Sequence, residues 1–212
     1  STRGRPAPAV DVLLPARDAA RTVRAAAVSI LRQSFRDLRL VAVDDGSRDG
    51  TLEVLSELAA RDRRILVIPG LGPGRGEGIA GALNRGLLRC DAPVIARMDA
   101  DDVASPRRVA LQHQALAADP SLAALGSRVR LFPRGAVHGG MRRYAAWLNG
   151  LGTPEELERD LLVEAPLVHP AAAIRTSALR AAGGWRDGPF PEDYDLWLRL
   201  FERGGRLANL PE

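Results

Sequence analysis

Short apolar runs and stretches of helical periodicity alternate along the first half of the chain. Residues 9–14 (AVDVLL) read as a strand that Pro15 should end, and 19–33 carry Val23, Ala27, Ile30 and Leu31 at helical spacing. A second strand is predicted over 38–43 (LRLVAV), and the turn Asp44-Asp45-Gly46-Ser47 leads to a helix over 51–61. A third strand, 65–68, is followed by a Gly-rich loop over 70–78 and a helix over 79–89. The fourth strand, 93–97, runs into Met98-Asp99-Ala100-Asp101-Asp102. A helix over 106–118 follows, with Ser105 as its N-cap and Pro106 in its first turn.

Beyond residue 122 the rhythm changes. One or two strands are predicted over 122–132 around Gly126, and 134–149 reads as irregular and basic. Thr153, Pro154, Glu155 and Glu156 open a helix over 153–162 with cap, first-position and dipole chemistry in order. A strand over 170–174, a short helix over 176–182 and a helix over 192–203 complete the pattern, the last turning Leu196, Trp197 and Leu200 to the core. Strands alternating with helices imply right-handed crossovers and an α/β fold: a Rossmann-like three-layer α/β/α sandwich around a mainly parallel sheet. Ligands of such sheets bind outside the carboxyl ends of the strands, so segments 16–18, 44–47, 74–78 and 99–102 are expected on one edge. No repeat or linker divides the chain, so 1–212 reads as a single domain with a specialised second half.

Composition removes several chemistries. All 30 basic residues are Arg, against 26 acidic ones, for a formal charge of +4. Without Lys there is no P-loop NTPase, no protein kinase and no Schiff-base enzyme. A single Cys, Cys90, permits neither an internal disulfide nor a Cys-based zinc site. His113, His138 and His169 form no short metal motif; His113 reads as solvated, and His169, ahead of an apolar run, as a candidate substrate contact. No apolar run reaches the roughly 18 residues of a membrane span, and no signal peptide opens the chain. The expected location is cytoplasmic, with a peripheral place at the inner membrane face compatible. Arg is interspersed with acids rather than gathered in blocks, so no nucleic-acid partner is expected.

Four segments carry candidate chemistry, each with a plainer reading beside it. Asp99, Asp101 and Asp102 directly after a strand would repel one another unless a cation lay among them; the alternative is a solvated turn. Asp44-Asp45-Gly46-Ser47 is either a turn or a carboxylate placed to take hydrogen bonds from a base or ribose. Gly76-Glu77-Gly78-Ile79-Ala80-Gly81 matches G-x-G-x-x-G and reads as a dinucleotide site, another phosphate loop or a plain loop; it follows the third strand rather than the first. Glu192-Asp193-Tyr194-Asp195 opens a helix, where acids suit the dipole or one acts as a general base, expected to be ionised by the helix N-terminus.

Taken together, LLPARDAARTVRAAAVSILRQSFRDLRLVAVDDGSRDGTLEVL, GIAGALNRGL, ARMDADDVASPRRV, GGW and PEDYDLWLRL, in that order, resemble the family 2 glycosyltransferases, inverting enzymes of the GT-A fold that use nucleotide-activated sugars. The resemblance spans nearly the whole chain, and the middle section (RVRLFPRG, then RRYAAWLNGLGTPEELERDLL) is similar to the β-1,3-N-acetylglucosaminyltransferase-like branch. It implies a nucleotide-sugar-binding half over 9–125 and an acceptor-binding half over 126–212, the latter expected to stop short of the family's usual length.

The resemblance also implies roles. Asp45 would contact the base, usually uracil, over a floor of Pro15 and Ala16, with Arg75 on the base or pyrophosphate. Asp18 joins this donor set, although Arg17-Asp18 stand where the family usually has an aromatic residue and Asn. Asp99 and Asp101 would form the DxD pair that holds a divalent metal, Mn2+ or Mg2+, with Asp101 the main ligand and Asp102 orienting the donor sugar. Asp193 would be the general base, Glu192 would support the acceptor, and Gly183, Gly184 and Trp185 would shape the acceptor side, where His169 is also placed. The implied reaction moves a sugar from a UDP-sugar to a glycan, lipid-linked or other hydroxyl acceptor by direct displacement. A nucleotidyltransferase, with Arg3 and Arg5 as a triphosphate cradle, and a non-catalytic nucleotide- or dinucleotide-binding module are the alternatives.

Overall fold

The computed structural model of the chain describes residues 6–211, so the Arg3–Arg5 cradle considered above lies outside the described residues. In chain order the elements are β1 (Val10–Ala16), α1 (Val23–Leu31), β2 (Leu38–Asp44), α2 (Thr51–Arg61), β3 (Ile65–Ile68), α3 (Gly78–Leu87), β4 (Val94–Arg97) and α4 (Arg108–Ala118). There follow β5 (Leu122–Gly126), α5 (Gly139–Gly150), α6 (Pro154–Asp160), β6 (Ala173–Arg175), α7 (Thr176–Ala181), α8 (Glu192–Glu202) and β7 (Arg206–Asn209).

The strands form one sheet in the order β3-β2-β1-β4-β6-β5-β7, parallel throughout except that β6 runs against both of its neighbours. Alternation along the central strands sends side chains into two cores. Leu13, Val41 and Val43 pack with α3, α7 and α8, including Trp197, and with Trp185 from the loop between α7 and α8. Val12, Leu14, Leu40 and Ala42 pack with α1, α2 and α4. Burial on both faces is why β1 and β2 read as continuous apolar runs. On the first of these faces α3 lies very close to the sheet: a Cβ on Gly86 would stand 2.2 Å from Leu13 Cδ1. The chain winds outward from β1 in both directions, so the β1–β4 crevice is the switch point where α/β sheets take ligands.

Several sequence expectations need correction. The first strand does not stop at Pro15 but continues to Ala16, pairing with β2. Pairing of β1 with β4 has already ended at Leu13–Arg97, so the missing N–H of Pro15 faces an edge that asks for none. α1 begins at Val23 rather than Ala19, because the amides of Ala19 and Ala20 donate to Thr51 Oγ1 and Asp49 Oδ2. Ser105 does not cap α4; Gln33 does so from a distance, accepting from the Val109 amide at 3.0 Å while donating to the Ser105 carbonyl. The stretch expected to be irregular contains α5, and β7 is an additional strand. A single strand, β5, lies over 122–126, and 169–171 form a 3-10 turn before a shortened β6. His113 is half-buried, its ring tilted 33° to that of Phe35 at 4.7 Å. The capping box of Thr153 and Glu156 forms as expected.

At the edge opposite the strands' carboxyl ends, Asp11 is fully buried and accepts from Arg39 Nε at 2.7 Å, Arg39 Nη2 at 3.0 Å and the amides of Asp91 and Ala92. This carboxylate ties β1, β2 and the start of β4 together. Removing its cation with Arg39→Ala is expected to lower the unfolding free energy by about 3 kcal/mol. Urea denaturation measures it; an unchanged midpoint would mean the pair is dispensable.

Candidate active site at the carboxyl edge of the sheet

Pro15, Ala16, Arg17, Asp45, Gly78, Ile79 and Ala82 line a cavity of about 200 Å³ beside the ends of β1 and β2. Asp45 is 4% exposed and is the hub of this corner. Its Oδ1 accepts from the Glu77 amide at 2.7 Å and its Oδ2 from the Gly78 amide at 3.1 Å, with Arg17 Nη1 3.6 Å from Oδ2. The carboxylate therefore caps α3 from another segment and pins the Gly-rich loop. Gly76 is required there, since a Cβ would meet Asp45 Oδ2 at 2.7 Å and Arg17 Nη1 at 2.5 Å. Asp18 has φ 48°, accepts from the Arg48 amide and donates its own amide to Ser47 Oγ, so segments 16–18 and 44–48 form one bonded platform. Arg75 is exposed on the loop above it. Because Asp45 already occupies the first amides of α3, the G-x-G-x-x-G match does not offer a free helix N-terminus for a pyrophosphate, which weighs against the dinucleotide reading.

Asp99, Asp101 and Asp102 follow β4 on the rim of a second, larger cavity of about 1140 Å³, lined also by Arg108, Ser127, Arg128 and Phe132. Two buried guanidiniums stand behind them. Arg97 Nη2 pairs with Asp99 Oδ1 at 2.7 Å, and Arg97 Nη1 donates to the Met98 carbonyl. Arg108 donates to the carbonyls of Pro170 and Arg97, and burial pulls its pKa down to about 10. Asp102 is pushed above the ordinary Asp value, first by burial and then by the charges of Asp99 and Asp101. Among the described residues no group of three or more His, Cys, Asp and Glu side chains is gathered to hold a metal. The excess negative charge on this turn nevertheless suits a cation that completes its shell with phosphate oxygens and water.

The third part of the site is the first turn of α8. Asp193 is half-buried, and burial pushes its pKa up despite the helix N-terminus. Burial thus acts against the lowering that a helix N-terminus gives a carboxylate. Glu192 moves the other way, held down chiefly by the His169 ring beside it. His169 lies 6% exposed, not on the surface, with Nδ1 3.4 Å from Glu192 Oε1 and Nε2 accepting from the Trp185 indole at 2.9 Å. Trp185 is likewise buried, its backbone gripped on both sides by Asn84. Gly184 carries φ 72° and gives its carbonyl to Arg199.

The antiparallel β6 brings these parts together. Its start lies beside the end of β4, with Ala173 opposite Ala96 and the Arg97 amide bonded to the Ala172 carbonyl. The charge of Arg97 thereby reaches Asp102, His169 and Glu192 as well as its partner Asp99. Sequence reasoning missed Arg97 and Arg108; the available signal was a charged residue closing an apolar strand just before three acids.

The glycosyl transferase family 2 profile matches residues 11–183. EpsE of Bacillus subtilis, described as a putative glycosyltransferase, is 32% identical over 97% of this chain and 71% of its own length. The amylovoran biosynthesis glycosyltransferase AmsE of Erwinia amylovora is 28% identical over 87% of this chain and 65% of its own. Among solved structures, the Pyrobaculum calidifontis mannosyltransferase PcManGT, in complex with GDP-Man and Mn2+, superposes with a TM-score of 0.73 at 21% identity, covering 97% of this chain and 55% of that one. S. aureus TarS in complex with UDP-GlcNAc gives a TM-score of 0.73 at 17% identity, covering 96% and 56%. The chain thus spans a little over half of these solved structures and about two thirds of the curated relatives. With its three-layer sandwich of the GT-A type, this chain belongs to glycosyl transferase family 2.

Proposed function

We propose that this chain transfers a sugar from a UDP-sugar to an acceptor hydroxyl by a single displacement that inverts the anomeric centre. The observation that carries the reading is that β4 and the turn before β6 bring two acid sets to one edge: Asp99-Asp101-Asp102 follows β4, whose Arg97 amide bonds Ala172, and Glu192-Asp193 stands at the start of α8 beside His169 of that turn. One set suits the leaving diphosphate and the other the incoming hydroxyl.

On the donor side, Pro15 and Ala16 form the floor under the base, and Asp45 keeps spare lone pairs for it beside the two amides it holds. Asp18 stiffens this platform, and Arg75 reaches for the base or diphosphate. Asp101, with Asp99 restrained by Arg97, would hold a divalent metal, Mn2+ or Mg2+, and Asp102 would orient the sugar. When bound, such an ion neutralises charge developing on the departing diphosphate. On the acceptor side, Asp193 takes the hydroxyl proton as the new glycosidic bond forms and the anomeric carbon–oxygen bond to the diphosphate breaks. Burial of Asp193 raises its basicity, which favours that role. Glu192 supports the acceptor, with Gly184, Trp185 and His169 framing it from beneath. Residues 9–125 make the donor half and 126–212 the acceptor half.

A UDP-N-acetylhexosamine or UDP-hexose donor agrees with the middle section's similarity to the β-1,3-N-acetylglucosaminyltransferase-like branch and with the UDP-GlcNAc bound by TarS. PcManGT binds GDP-Man, so the test must include both nucleotides. The acceptor is a glycan, lipid-linked or other hydroxyl compound. Among the described residues no helix is long and apolar enough to cross a membrane, and a cytoplasmic or peripheral inner-face position fits this reading.

Calorimetry with UDP and GDP, with and without Mn2+, is expected to show metal-dependent UDP binding that Asp101→Ala weakens about tenfold or more. Binding indifferent to both metal and mutation would remove Asp101 from the metal. Asp193→Asn should keep donor binding but lose about 10²-fold or more in transfer rate. Wild-type turnover in that variant would exclude Asp193 as the base.

A further inference from the structure

His169 sits where two tryptophans and an acid converge. Its ring centroid lies 6.0 Å from that of Trp185 and 6.0 Å from that of Trp197, the latter edge-on at 84°. An indole N–H only donates, so the 2.9 Å contact from Trp185 Nε1 requires His169 Nε2 to accept. That fixes the ring as neutral with its proton on Nδ1, the nitrogen facing Glu192 Oε1 at 3.4 Å. We propose that His169 is a positioning residue: Trp185 locks its tautomer, and the Nδ1–H in turn fixes the Glu192 carboxylate beside Asp193. The consequence for turnover rests on the transfer reading above, whereas the lock itself does not.

The surroundings suit the arrangement. The Trp185 backbone is anchored, its amide donating to Asn84 Oδ1 and its carbonyl accepting from Asn84 Nδ2, and its indole is held by burial in the core. The charges acting on the imidazole are Arg97 from β4 and Glu192 and Asp193 from α8, and burial opposes the imidazolium above all. Two neighbouring acids are thereby given different work. Glu192 stays an anion anchored from below, and Asp193, whose own Oδ1 accepts from the Tyr194 amide, receives no bond from His169 and keeps its proton affinity for the acceptor.

Nitrogen-15 NMR of the full chain reads the tautomer directly, His169→Asn assigning the signal. The expected spectrum has a bare Nε2 and a protonated Nδ1 throughout roughly pH 6 to 8, and Trp185→Phe should release that preference. A protonated Nε2 or an imidazolium at neutral pH would overturn the lock. For turnover, His169→Leu is expected to lower kcat about tenfold with donor KM and UDP affinity unchanged. His169→Asn, whose amide can donate from the place of Nδ1, should recover part of that loss, although both variants forfeit the Trp185 bond and lose similar thermal stability. Equal loss of kcat in the two variants, tracking their stability, would overturn the positioning role. If the wild-type chain transfers sugar from no donor, the transfer reading falls, and the nitrogen signals still decide the lock.

Discussion

A guanidinium buried at the end of β4 organises the side of the carboxyl edge that faces β6. Arg97 is 2% exposed, pairs with Asp99 and is felt by Asp102, Glu192 and His169. A buried charge is tolerated only when paired, and a crowd of carboxylates is tolerated only around a cation. Each condition meets the other here. Arg108 extends the arrangement by bonding the carbonyls of Arg97 and Pro170, which fixes the β4 end against the turn that precedes β6. Asp99 and Asp102 after β4 and Glu192 at the start of α8 thus share the field of one buried cation.

The absence of Lys gives that arrangement its character. Every cation in the chain other than the N-terminus and His is a planar guanidinium, which spreads its charge and bonds several acceptors at fixed angles. Arg39 grips Asp11 bidentately at one end of the sheet, and Arg97 bridges Asp99 and Met98 at the other. At the Asp45 corner the nearest positive groups are backbone amides, with Arg17 Nη1 farther off at 3.6 Å. Those of Glu77 and Gly78 are already committed to Asp45, so the Gly-rich loop is a wall of the cavity more than a phosphate cradle.

Much of this was legible in the sequence where a signal is local. The first four strands and α2 follow directly from apolar runs and caps, and Asp45, the Asp99–Asp102 turn and Glu192-Asp193 stood out as acids at element ends. What was not legible depends on distant partners. α5 buries only Leu148, so it has no apolar stripe; it is held by Trp147 on Asp160 and by Asn149 bonding both backbone groups of Val129. The helix start at Val23 reflects Asp49 and Thr51, and the cap of α4 is Gln33, far upstream. His169 read only as a candidate substrate contact, because nothing near it in sequence announces the two tryptophans that enclose it. The burial of Asp193 likewise comes from tertiary packing, which acts against the helix dipole.

The reversed strand β6 has a mechanical corollary. Seven residue pairs join β1 to β2, but only three join β4 to β6 and two join β6 to β5. The sheet is therefore broad beside the Asp45 corner and narrow at β6. Side chains make up what the ladder lacks there: Arg108 bonds the carbonyls of Arg97 and Pro170 across the β4–β6 seam, and Arg175 bonds those of Leu122 and Leu116 beside β5. Where the backbone ladder is short, guanidiniums stitch the seam in its place.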